Sequence, residues 1–342
     1  MNKRSREFLR DVIITWMGVL FVCVGFAAFG AVTLLLDYDR ARGQVVLTAD
    51  SPMRDLAYEA ETRTGLGIIA LPTPTPNLSP AEFETDPYPP DIAATLDGIL
   101  AEGQRRGNRP DVFSKVGDSI TVSEHFLKPV GDGLYNLGEY AYLEPAIYYF
   151  SRQPARDGRG NSFYNQTEAA GVGWSARSLL DPRNANSAVC QPGETPLACE
   201  YRLTRPGFAL IMIGTNDVTY LDEATYRRDL LRVVDATIEA GVVPVLSTIP
   251  PLPQEGDKVD TFNAVITDIA AERSLPMMDT HAAMRDLPNQ GLSSDDIHPS
   301  VPPGGYFQAV DLENEGEYGY VARNRVTLEA LYRLWAHVAA SE

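Results

Sequence analysis

The chain has 342 residues, with 29 Lys plus Arg against 46 Asp plus Glu, so its formal net charge is −17. Such acidity repels phosphate backbones and excludes nucleic-acid binding by counterion release. With 44% apolar and 22% charged residues, disorder throughout is excluded, and three cysteines are too few for a disulfide-built scaffold.

The first element is a charge-free run from Val12 to Leu36. At ~1.5 Å per residue its roughly 25 residues reach ~37 Å, enough to cross a ~30 Å hydrocarbon core with some tilt. Lys3, Arg4, Arg6 and Arg10 precede it, so the positive-inside rule keeps residues 1–11 cytoplasmic and sends the rest out. The expectation is a single-pass anchor over 12–36 at the cell membrane, with everything after it extracytoplasmic. The competing reading is a cleaved signal peptide with small residues at Ala27, Ala28, Gly30 and Ala31. The run continues past them to Leu36, longer than a signal h-region. Residues 37–90 read as a juxtamembrane segment and stalk. Pro72, Pro74, Pro76, Pro80, Pro87, Pro89 and Pro90 favour an extended spacer.

From residue 91 to 342 the pattern is that of one α/β domain. Ile92, Leu96, Ile99 and Leu100 recur at helical spacing, and the helix ends near Gly103 to Gly107. Val112 to Val116 reads as a strand that stops at Gly117, and Phe208 to Ile213 as a second that stops at Gly214. A helix through Leu230, Val233, Val234 and Ile238 ends at Gly241. A strand from Val242 to Ile249 follows, interrupted by Pro244. Then come a helix (Phe262 to Ala271), a last strand (Leu275 to Met278) and a last helix (Val326 to Val338). Apolar strands alternating with amphipathic helices predict a mostly parallel sheet covered on both faces, with its ligand site beyond the carboxyl ends of the strands.

Three short motifs fall there. Gly117-Asp118-Ser119-Ile120 follows the first strand, where Ser119 either exposes a reactive hydroxyl or simply caps a helix. Gly214-Thr215-Asn216-Asp217 follows the second. The Asn216 amide can donate to an oxyanion, or the four residues can be a plain turn. Asp295 and His298 are three apart, so in a helical turn they share a face. The carboxylate can then accept the Nδ1–H and leave Nε2 as a base, the alternative being a solvated loop histidine. Of the other histidines, His125 either lines the cleft or is exposed, and His281 and His337 are expected at helix surfaces. Cys190 and Cys199, in a polar loop outside the cytoplasm, favour a small disulfide over two free thiols. Without a nearby histidine, two thiolates do not fill a metal shell. No Walker loop, His-Glu-x-x-His or dinucleotide fingerprint is present, so no cofactor or metal is expected.

Together the three motifs resemble the SGNH (GDSL-type) hydrolase superfamily, as a membrane-anchored bacterial-type member, over roughly residues 91 to 342. The resemblance implies a flavodoxin-like three-layer sandwich around a mostly parallel sheet. It implies Ser119 as nucleophile and a Ser119, His298, Asp295 triad. It also implies an oxyanion hole from the Ser119 N–H, a loop glycine and Asn216. Gly171 and Gly173 both fit the glycine; Gly173 is preferred because it precedes an expected helix from Trp174 to Leu180, whose first N–H groups are unpaired. The implied substrate is a small-molecule, glycan or lipid acyl ester. The same triad also suits an O-acyltransferase that replaces water with a sugar hydroxyl, and a relic fold without catalysis is the third reading. The acyl group, the alcohol and the oligomeric state are left open. Two segments stand outside the motifs. Tyr135 to Arg152 holds five of the sixteen tyrosines and either walls a pocket or packs as satellite core, and Val301 to Tyr320 is the place to look for a lid.

Overall fold

The computed structural model describes residues 87–158 and 160–341. The expected anchor over 12–36, its Cys23 and the stalk up to residue 86 lie outside the described residues. Among the described residues no helix is long and apolar enough to cross a membrane.

The sheet is built from β1 (Arg109–Gly117), β2 (Pro206–Met212), β3 (Val243–Ser247) and β4 (Met277–Met278), all parallel and in the order β1-β2-β3-β4. Beyond the free edge of β1, Ala170 forms a parallel bridge with Gly117. The Gly117 N–H donates to the Ala169 carbonyl at 3.1 Å, and the Gly171 N–H to the Gly117 carbonyl at 3.3 Å. With that segment counted in second place, the spatial order becomes 2-1-3-4-5, the flavodoxin-like arrangement. The chain there first steps to one side of β1 and then to the other, and ligands bind at this switch point.

The strands are apolar runs because both faces are covered. On β1, Phe113 packs edge-on against Phe150 and Phe163, while the next residue, Ser114, hydrogen-bonds Glu200 at 2.8 Å and Thr204 at 3.0 Å. Alternate side chains thus meet different helices. One layer contains α4 (Glu144–Ser151) and α10 (Gly319–Ser341). The other contains α5 (Pro196–Thr204), with α7 (Glu223–Glu239) and α8 (Asp257–Glu272) packed on β3. The first helix, α1 (Pro90–Arg105), has proline in its first turn, Asp91 beside it and Arg105 in its last turn, as the helix dipole favours. Short helices fill the connections: α2 (Ser119–Val122), α3 (Lys128–Gly131), α6 (Asp217–Tyr220) and α9 (Thr280–Arg285).

Several expectations change. Pro244 does not interrupt β3; it pairs with Ala209 within the strand. The N–H groups of Leu246 and Thr248 donate toward β4, so the N–H that Pro244 lacks falls on the same side, ahead of the point where β4 begins to pair. His337 is buried (1% exposed) and sits 3.1 Å from Asp97 of α1, because the last helix is buried over most of residues 319–338. The helix expected from Trp174 is a 3-10 turn from Ala176 to Leu180. The tyrosine-rich tract joins the main core: Tyr135, Leu143, Ile147, Tyr149 and Phe150 are buried in it, while Tyr142 and Tyr148 remain exposed. The segment after His298 is packed down. Val310 and Leu312 are buried, Asp311 bridges to Asn136, and the Tyr306 hydroxyl donates to Asp132.

Candidate active site

Ser119 is the first residue of α2, immediately beyond β1, so its N–H has no helical acceptor. Asp118 caps the helix by accepting the Ile120 N–H at 2.9 Å. Burial pushes the Asp118 carboxyl upward, against the pull of that hydrogen bond and of the Arg323 charge. Arg323, from α10, holds the turn from the other side. It donates to the Ile120 carbonyl at 2.7 Å and to Thr121 Oγ1 at 3.0 Å, and its guanidinium lies 3.6 Å from the Phe126 ring centre. Burial lowers its pKa to about 10.

The structure brings Ser119 Oγ to 2.9 Å from His298 Nε2, and His298 Nδ1 to 2.7 Å from Asp295 Oδ2. The Asp295–His298 spacing works without the expected helical turn. Residues 293–298 form a loop, with Asp296 at φ +56°. Asp295 Oδ1 organises it, accepting from Ser293 Oγ at 2.7 Å and from the backbone N–H groups of Ile297 and His298 at 3.0 Å each. An aspartate that closes local turns in this way does the job a helix would have done. Partial burial opposes ionisation of Asp295, but hydrogen bonds from His298, Ser293 and Ile297 outweigh it and hold the carboxyl well below the usual range. His125 stands apart, half-buried beside the Tyr320 ring and hydrogen-bonded to Ser123. His281 lies 3.8 Å from Asp260 on α8.

The second motif is fastened to the glycine loop. Gly214 adopts φ +140°, and a Cβ there would fall 2.6 Å from the Tyr226 hydroxyl, which bonds the Ile213 carbonyl at 2.8 Å. Asn216 Nδ2 donates to the Trp174 carbonyl at 2.9 Å. Asp217 accepts the Ala176 N–H on both oxygens at 3.1 Å. The two loop glycines differ. The Gly171 N–H is engaged with Gly117, and the Trp174 indole lies where a Gly171 side chain would be. Gly173 is exposed at φ +75°, and its N–H has no partner among the described residues.

Asp217 was not singled out as a site residue by its sequence, yet it ties the glycine loop to the asparagine loop. Burial raises its pKa to about 7, opposed by the N–H groups of Ala176 and of Asp217 itself and reinforced by Asp118 and Asp229. An unfolded aspartate ionises near ~4. The stability linked to this raised value is therefore full below about pH 4 and is lost as pH rises through about 7. Asp217→Asn, which keeps an acceptor for Ala176, is expected to remove that loss. In thermal melts from pH 5 to 8 the deficit of the variant should shrink, and a constant deficit would contradict the assignment.

Cys190 and Cys199 are joined in a disulfide. Glu194 lies close to both sulfurs, but they are spent in that bond and Glu194 pairs with Arg202, so the trio makes no metal site.

The sequence pattern of the GDSL-like Lipase/Acylhydrolase family matches residues 116–302, more than half of the chain and the whole interval from Ser119 to His298. No curated protein matches. Among solved structures, a GDSL-like lipase from Bacteroides thetaiotaomicron is 14% identical. The match covers 70% of this chain and 98% of that one, with a TM-score of 0.38. A lipase/acylhydrolase from Enterococcus faecalis is 19% identical, with 60% and 96% covered and a TM-score of 0.38. A catalytic mutant of Axe2, an acetylxylan esterase from Geobacillus stearothermophilus, is 19% identical, with 64% and 93% covered and a TM-score of 0.39.

Proposed function

The chain belongs to the GDSL-like Lipase/Acylhydrolase family and is a hydrolase of ester bonds; from that premise we propose that Ser119, His298 and Asp295 are its catalytic triad. The observation that carries the proposal is the unbroken line from Ser119 Oγ through His298 to Asp295, at 2.9 and 2.7 Å. Ser119 Oγ attacks the acyl carbonyl as its proton passes to His298 Nε2. Asp295 accepts the Nδ1–H, fixes the tautomer and stabilises the imidazolium. His298 then returns the proton to the leaving alcohol. Water, activated by the same nitrogen, releases the acyl group as a carboxylate and restores Ser119.

The developing oxyanion is held by the N–H groups of Ser119 and Gly173 and by the second amide hydrogen of Asn216, the first being used on Trp174. Gly173 is preferred over Gly171 because its N–H is uncommitted. Asn216→Ala is expected to lower kcat by ~10²–10³. A loss in KM alone would instead make Asn216 a binding residue.

The substrate is an acyl ester of a small molecule, glycan or lipid, and the domain works outside the cell membrane, tethered by residues 12–36. The tether rests on the charge-free run with four basic residues before it. The test is turnover of a short nitrophenyl ester, followed by product analysis with and without an acetyl-accepting oligosaccharide. Free acid in both arms supports the hydrolase. Acylated sugar at the expense of acid would make the chain a transferase.

A further inference from the structure

The strands enter the sheet at the edge opposite Ser119. Asn108, Arg205 and Ala240, which lie just before β1, β2 and β3, line one groove there of about 340 Å³. That volume is at the small end of the ~300–1,000 Å³ usual for ligand sites. Its apolar wall is made by Leu180, Ala198, Ala236 and Ala240, with Leu197 and Tyr201 buried beneath them, and its rim carries Arg106, Arg202 and Arg205.

Three guanidinium groups at one mouth stand out in a chain of charge −17. Two are already engaged. Arg202 makes a two-pronged pair with Glu194 at 2.7 and 2.8 Å. Arg106 donates to Glu102 at 2.5 Å and to the Glu239 carbonyl at 2.8 Å. The Arg205 side chain makes no hydrogen bond or ion pair among the described residues. Its backbone, by contrast, is tied on both sides. As the cap of α5 at φ +48°, its N–H donates to Tyr201 and its carbonyl accepts from Arg109, both at 2.8 Å. A fixed backbone therefore carries one uncommitted guanidinium beside an apolar wall.

We propose that this groove binds a small amphiphilic monocarboxylate, with the carboxylate on Arg205 and the hydrocarbon tail against Leu180, Ala198 and Ala236. The planar fork of a guanidinium matches a carboxylate bidentately. The tail is favoured by burying apolar surface. A phosphate dianion would need a second free cation, which Arg106 and Arg202 do not offer while their carboxylates hold them. The site is separate from the ester-cleaving one, which lies at the other ends of the strands.

The experiment is calorimetric titration of the full chain with octanoate, octanamide and inorganic phosphate. It is run on wild type and on Ser119→Ala, and any octanoate seated near the triad is told apart as the binding that Arg205 substitutions leave unchanged. Octanoate is expected to bind both saturably, with octanamide and phosphate at least about tenfold weaker. Arg205→Asn removes the guanidinium while suiting the left-handed cap. It should weaken octanoate by about tenfold or more, Arg205→Lys should fall between, and nitrophenyl ester turnover and melting temperature should not move. Equal octanoate affinity in Arg205→Asn, absence of saturable octanoate binding, or phosphate binding as tightly would overturn the proposal. None of these outcomes bears on Ser119, whose role is read by turnover alone.

Discussion

Ser119→Ala is expected to lower kcat for a nitrophenyl ester by ~10⁵–10⁶, the scale seen when the nucleophile of a triad is removed. The substitution deletes one hydroxyl whose hydrogen bond runs to His298 Nε2. Losing one half-buried hydrogen bond costs about 1 kcal/mol, so the melting temperature should stay within a few degrees of wild type. The contrast between a collapsed rate and an intact fold is the informative result. A variant that keeps wild-type turnover would remove Ser119 from the chemistry, and one that unfolds would make its role structural.

Asp295→Asn has the second largest expected effect, a fall in kcat of about 10⁴. The carboxylate serves two purposes through its two oxygens. Oδ1 gathers Ser293, Ile297 and the His298 backbone, and Oδ2 accepts from His298 Nδ1. An asparagine can keep Oδ1 in the first role, so the loop survives. Its amide then faces Nδ1 as a donor, and the imidazole must turn to the other tautomer, which places a proton on Nε2 where the base is needed. Rate should fall far more than stability. Because its hydrogen bonds hold Asp295 below the usual carboxylate range, the stability it lends persists above that range and is lost only as pH falls beneath it.

Much of the site was legible because its residues follow long apolar strands. β1 and β2 are marked by continuous hydrophobic runs that stop at Gly117 and near Gly214, and Ser119 and Asn216 follow them directly. What was not legible depends on contacts between distant segments. The segment that takes the second place in the sheet pairs through Ala170 alone, and one bridged residue leaves no periodicity. The Asp217 clamp on Ala176 and the Arg323 brace under Ser119 join residues 41 and about 200 positions apart, and nothing local to Asp or Arg announces such a partner. The three-residue spacing of Asp295 and His298 fits a helical turn and this loop alike. Only the positive φ of Asp296 and the side-chain-to-backbone bonds tell them apart. A helical histidine is expected at the surface by default; the burial of His337 depends on α1, whose Asp97 lies 3.1 Å from it and far away in the chain.

The tyrosine-rich tract makes the same point from the other direction. Its aromatics suit a pocket wall or a core equally well in composition. Their place in the core follows from α4 lying between β1 and α10, where Phe150 meets both Phe113 and Phe208.

The most direct measurement of the central claim is covalent labelling with a fluorophosphonate probe, followed by mass mapping of the modified peptide. A single adduct on Ser119 is expected in the wild-type chain, strongly slowed in His298→Ala because the base that activates the hydroxyl is gone. Full ester turnover by a chain whose Ser119 is completely modified, or an adduct on another serine that abolishes activity while Ser119 stays unmodified, would contradict it.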